Sequence, residues 1–81
     1  MRRRVDPEFP MKARLAHIHG DVVIEILIDK DGDIAEARAT NGHPILVEAA
    51  LNAVKRWKYE PFMVGGFPVP TRGLLTIKFH M

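Results

Sequence analysis

Three aspartates in five residues, Asp29, Asp31 and Asp33, are the densest group of potential ligands in the chain. A calcium loop of the EF-hand type needs glycine at its sixth position and glutamate at its twelfth. Counted from Asp29, Gly32 is fourth and Thr40 is twelfth, so the cluster reads as a hairpin turn with Gly32 free to take positive φ. The histidines are His17, His19, His43 and His80, and no two have the i, i+4 spacing of a helical zinc pair. Cysteine and serine are both absent, which removes thiolate ligands, disulfides and the two commonest nucleophiles. Acids, bases and electrophiles do not converge in any segment: the carboxylates fall in turns, near the N-terminus or on outward-facing positions. The expectation is a non-catalytic chain with no metal and no cofactor.

What remains is binding. At 81 residues the chain forms one small domain with a single two-layer core. Apolar residues make up 47% and charged residues 27%, the balance of a globular protein. A formal net charge of +2 is too mild to announce a nucleic-acid partner, and much of it sits in Arg2, Arg3 and Arg4. Residues 1–4 read as a solvated tail or an appended junction, and residues 5–81 as the domain. No apolar run reaches membrane-spanning length, and the arginines lead into Val5-Asp6-Pro7-Glu8 rather than the apolar stretch of a signal peptide.

Asp6, Pro7, Glu8, Phe9 and Pro10 form an extended leading arm. Met11 to Ile18 fits a short helix, with Met11, Leu15 and Ile18 on one face and Gly20 ending it. Asp21 to Asp29 is the clearest strand, with Val22, Ile24, Ile26 and Ile28 turned one way. Ile34 to Thr40 returns after the turn. Pro44 opens the main helix at its first position, and Leu46, Ala50, Ala53, Val54 and Trp57 make its apolar stripe. Pro61 ends that pattern, 62–70 reads as a loop, and Thr71 to Phe79 is the last strand.

The order helix, strand, strand, helix, strand gives an α+β domain. A three-stranded antiparallel sheet, ordered second, first, third, packs on two helices. The last strand is then an edge, blunted only by Pro70 and Lys78. An exposed edge of this kind accepts a peptide strand, or pairs with a second copy. A small sheet backed by helices is also an RNA-binding layout, but these strands offer only Phe79 for stacking, and Glu25 stands where such a reader needs an aromatic or a base. No nucleic-acid partner is expected. Trp57 is expected to close the core, and Tyr59 to hydrogen-bond where the loop departs.

Several segments together resemble the TonB C-terminal domain family. Phe9-Pro10 heads the short helix where that family often has Tyr-Pro. Gly20-Asp21-Val22-Val23-Ile24-Glu25-Ile26 leading to Asp29-Lys30-Asp31-Gly32 is similar to its first strand and hairpin. Asn41-Gly42-His43-Pro44-Ile45-Leu46 is similar to its helix start. Ala53-Val54-Lys55-Arg56-Trp57-Lys58-Tyr59-Glu60-Pro61 resembles its helix end, the most specific signature, and Gly66-Phe67-Pro68-Val69-Pro70 its following loop. The resemblance implies a periplasmic domain of an inner-membrane-anchored energy transducer. Such proteins are coupled to an ExbB–ExbD motor through an N-terminal part, and bind the TonB box of an outer-membrane transporter by strand addition. It implies that Gly73, Leu74, Leu75, Thr76, Ile77, Lys78 and Phe79 pair with the box and that Asp6 to Pro10 lie beside it. The chain is then expected to be a fragment of a longer protein.

Overall fold

Alternating β-branched residues dictate the central strand β1, Gly20–Ile28. Val22, Ile24, Ile26 and Ile28 bury one row in the core, while Val23, Glu25 and Leu27 face outward. The computed structural model describes residues 3–80 and supplies the partners of that strand. β2, Ile34–Asn41, pairs antiparallel with β1 on one side, and the C-terminal strand, Thr71–Phe79, pairs antiparallel on the other. Helix α1 is Met11–Leu15 and helix α2 is Pro44–Val54. A short hairpin of β3, Phe62–Val64, and β4, Phe67–Val69, makes the C-terminal strand β5. The main sheet runs β2-β1-β5, the expected antiparallel order with the first strand at the centre.

The α2 stripe lies where its spacing predicts: Leu46, Ala50, Ala53 and Val54 are buried, and Trp57 just beyond the helix is 5% exposed. Pro44 occupies the first turn, and the His43 side chain caps it by accepting from the Ile45 amide through Nδ1 at 3.2 Å. The main-sheet row facing the helices completes the core with Ile77 and Phe79 from β5.

Two local expectations change. α1 stops at Leu15 rather than Ile18. His17, at φ 56°, takes the left-handed position expected of a glycine, and Ile18 donates to Ala13 O (2.8 Å) and His17 to Arg14 O (3.2 Å). This is a Schellman stop, placed three residues before Gly20. The buried residue of α1 is Ala13, whereas Met11 and Leu15 of the expected face are 69% and 76% exposed. A five-residue helix is too short for an apolar stripe to orient it. It is held instead by Phe9 just before it, whose ring meets Phe79 edge-on at 5.7 Å. The segment 62–70 is also more than a loop. Gly65 and Gly66, at φ 58° and 83°, form the two-residue turn that lets β3 and β4 pair.

The acidic turn is internally occupied. Asp29 Oδ1 accepts from the amides of Asp31 (2.9 Å) and Asp33 (3.0 Å), and the Asp33 carboxylate meets Lys58 Nζ at 2.7 Å. Gly32 has φ 88°, its carbonyl accepts from the Tyr59 amide at 2.9 Å, and a Cβ on it would stand 2.0 Å from the Tyr59 carbonyl oxygen. The residues after α2 are thus clamped against the β1–β2 turn.

Candidate functional site

The two edges of the sheet differ. β2 meets β1 with register irregularities at Val23/Ile24 and at Leu27/Ile28. Such bulges twist an edge away from further pairing. β5 meets β1 in unbroken register from Gly20↔Phe79 to Ile28↔Thr71. Among the described residues its other side pairs with no strand, so alternate backbone N–H and C=O groups point outward along a nine-residue edge.

The side chains of β5 divide by alternation. Ile77 and Phe79 are each 4% exposed and root the strand in the core, with Leu75 half-buried beside them. Arg72, Leu74, Thr76 and Lys78 lie on the opposite face with Val23, Glu25 and Leu27 of β1. Glu25 pairs there with Arg38 of β2 at 2.6 Å. That outer face carries no aromatic, and the Phe79 on which an RNA-stacking reading depends is in the core. Any ligand gripped by Ile77 and Phe79 is therefore gripped through their backbone.

The leading arm divides too. Asp6, Pro7 and Phe9 line a groove of about 400 Å³ whose other wall is Thr76, Ile77, Lys78, Phe79 and His80. Glu8 and Pro10 turn the other way, into a groove of about 470 Å³ between the start of α1 and the Ile45–Ala49 face of α2. Gly73 and Leu74 lie at the far end of β5, beyond the arm. Among the described residues no backbone hydrogen bond ties residues 6–10 to β5, so the arm borders the edge without closing it.

Position is set from below by Trp57. Its indole N–H donates to the Val5 carbonyl at 2.7 Å, and the Arg4 guanidinium stacks 5.1 Å above the ring. Arg3 and Lys58 exchange backbone hydrogen bonds at 2.9 and 2.8 Å, and the Arg3 side chain donates to the Arg56 carbonyl. Arg3 and Arg4, read from sequence as part of a tail, thus fasten the arm to the end of α2, while residues 1–2 lie outside the described residues. Arg4 also lines the groove beside β5, as does His80. Neither follows from periodicity, because both contacts depend on tertiary placement. Tyr59 packs beside Trp57, with ring centroids 6.4 Å apart, and burial raises its phenol above the ordinary value, partly opposed by the nearby Arg4 charge. Among the described residues no group of three or more His, Asp or Glu is placed to hold a metal ion.

The family model described as the Gram-negative bacterial TonB protein C-terminal matches residues 5–81. The chain belongs to the TonB C-terminal family. It is 34% identical over 80 residues to Protein TonB of Vibrio cholerae, an alignment that covers 96% of this chain and 33% of the relative. The chain therefore spans about a third of the curated relative's length. The solution NMR structure of the Pseudomonas aeruginosa TonB CTD superposes with a TM-score of 0.81 at 25% identity, covering 98% of this chain and 82% of that one. The arrangement of arm, sheet and helices in this TonB C-terminal domain is thus a family fold. No helix among its described residues is long and apolar enough to cross a membrane.

Proposed function

We propose that this TonB C-terminal domain takes hold of the TonB box of outer-membrane transporters by adding the box as a fourth strand to β5. It acts without catalysis and without a cofactor, as the periplasmic end of an inner-membrane-anchored transducer. It passes on energy that an ExbB–ExbD motor, coupled through the transducer's N-terminal part, draws from the proton-motive force. The observation that carries the reading is the contrast between edges: β2 is bulged, whereas β5 is unbroken over nine residues, rooted in the core at Ile77 and Phe79 and bordered by a groove. Strand addition uses the peptide backbone for affinity and alternate side chains for selection. About five ladder bonds at ~1 kcal/mol each, less the cost of ordering the peptide, make a weak complex at equilibrium. A pull along the strand loads those bonds together in shear, so a loose grip at rest resists a sudden load. Comparable rupture forces along and across the strand direction would remove this mechanical argument.

The test is backbone amide NMR during titration with a synthetic TonB-box peptide. Shifts concentrated at Gly73 to Phe79, with slowed exchange of those amides, are expected. Shifts confined to β2 or to the α1–α2 groove would overturn the assignment. The same unbroken edge also fits pairing between two copies of the chain. In that case those amides are already protected without peptide, and the sedimentation coefficient rises with concentration.

A further inference from the structure

A strand residue sends its N–H and C=O to one side of the chain, and its neighbours send theirs to the other. In β1 the odd-numbered residues face β2. The amide of Asp29, just past the strand, donates to Asp33 O at 2.9 Å, and the Val23 carbonyl accepts from Thr40 Oγ1 at 3.4 Å. The even-numbered residues from Gly20 to Ile28 therefore face β5, where their partners are Phe79, Ile77, Leu75, Gly73 and Thr71. Those residues direct their backbone groups to β1. The free edge of β5 belongs to Arg72, Leu74, Thr76 and Lys78.

Going back along the chain, the next residue of that set is Pro70, and the one before it is Pro68. Pro70 is exposed and is the single residue between β4 and β5. In the Gly65-Gly66 turn the Phe67 amide bonds back toward Val64, and Val69 faces Phe62 across the ribbon. β3 enters from Tyr59, whose amide is bonded to Gly32 in the β1–β2 turn, so β3 lies on the β1 side and Pro68 faces the free side. Neither proline has an N–H, and proline is tolerated in a strand where the missing donor faces no partner. The row of outward donors on β5 therefore ends at Arg72.

We infer that Pro70, backed by Pro68, is the register stop of the acceptor edge: an added strand bonds to Arg72, Leu74, Thr76 and Lys78 and gains nothing by running on toward the hairpin. This rests on β5 being the acceptor edge, and the experiment separates the two ideas. The usable edge spans about 20 Å, room for a peptide strand of about seven residues. Past Arg72 a longer peptide finds the Pro70 carbonyl but no donor, and the cost of ordering two more residues offsets that one bond. Pro70 thus fixes both the length of the paired segment and where it ends.

Amide exchange and peptide titration test this on isotope-labelled domain, at concentrations where it sediments as a monomer. Without peptide, the amides of Gly73, Leu75, Ile77 and Phe79 should exchange slowly and those of Arg72, Leu74, Thr76 and Lys78 quickly. The opposite alternation would put the free edge on the other set of residues and overturn the inference. A synthetic TonB-box peptide should slow the fast set. The peptide is then lengthened by a Thr-Val pair at one end or the other. Pro70→Ala and Pro70→Val both restore the N–H. On each, one of the two extensions should tighten binding about fivefold more than it does on the parent, the worth of one ladder bond, and the amide at position 70 should become protected. If the peptide slows the fast set but neither extension separates the variants from the parent, the stop is refuted and the acceptor edge stands. If no peptide slows any of these amides, the acceptor edge fails and takes the stop with it.

Discussion

Replacing Trp57 by alanine tests the junction where the leading arm, the end of α2 and the core meet. The indole is 5% exposed, so removing it opens a cavity among packed neighbours, a change that costs ~3–5 kcal/mol. The variant also loses the 2.7 Å hydrogen bond to the Val5 carbonyl, about 1 kcal/mol, and the cation–π contact of the exposed Arg4, about 0.5 kcal/mol. The total is about 5 kcal/mol, against ~4–12 kcal/mol for the whole of a domain this size. Trp57→Ala is therefore expected to be largely unfolded or to lose most of its urea midpoint. Trp57→Phe keeps most of the apolar volume and should lose ~1–2 kcal/mol. Far-ultraviolet circular dichroism in a urea series is the suitable assay, because Trp57 is the chain's single tryptophan and its fluorescence disappears with it. A Trp57→Ala domain within about 1 kcal/mol of the parent would refute the reasoning. So would a Phe variant as damaged as the Ala variant, since the hydrogen bond rather than the ring would then dominate.

Two further outcomes follow from the clamp between the β1–β2 turn and the residues after α2. Gly32→Ala combines a backbone strained at φ 88° with a Cβ placed 2.0 Å from the Tyr59 carbonyl oxygen. It should cost more than ~2 kcal/mol in urea midpoint stability, and a loss under ~1 kcal/mol would show that the clamp yields easily. Tyr59 titrates above its ordinary value in the folded domain because burial disfavours the phenolate. A raised folded pKa means that the contribution to stability is intact below the unfolded value near 10 and is lost as pH rises through the folded pKa. Phenolate absorbance isolates this single tyrosine. Its midpoint should fall to the ordinary value in urea, and Tyr59→Phe should remove the matching slope in alkaline stability.

Which parts were legible follows from how each signal arises. β1 declared itself because alternation over nine residues, five of them Val or Ile, has one reading as a strand. α2 declared itself through Pro44 and a stripe long enough to repeat. α1 misled because in so short a helix three apolar residues at helical spacing prove nothing. The stop came from His17, a non-glycine residue at positive φ that no glycine signal marks, and the burial from an alanine. The β3–β4 hairpin was within reach of the Gly65-Gly66 signal, but Pro68 argued against a strand. It is tolerated because both strands of a two-stranded ribbon are edges. The fastening of Arg3 and Arg4 to residues 56–58 was not legible at all, since about fifty residues separate the partners and neither has a periodic context. The candidate edge was legible as topology, but its contrast with β2 was not, because bulges follow from packing rather than composition.

The sheet order bears on what the domain can transmit. If β5 takes a peptide strand as proposed, a pull on the peptide loads two ladders in series: the new one, and the β5–β1 ladder that runs from Thr71 to Phe79. The second is longer, unbroken and backed by buried side chains of both strands: Ile77 and Phe79 of β5, and Val22, Ile24 and Ile26 of β1. A peptide ladder of about five bonds has fewer bonds to shear and little core behind it. It should part first and leave the domain folded for another cycle. The order holds only while β5 stays rooted. Phe79 is where the root also meets the leading arm, through the edge-on contact with Phe9. Weakening that contact should shift failure from peptide release toward detachment of β5, seen under load as loss of the domain's own structure before the peptide leaves.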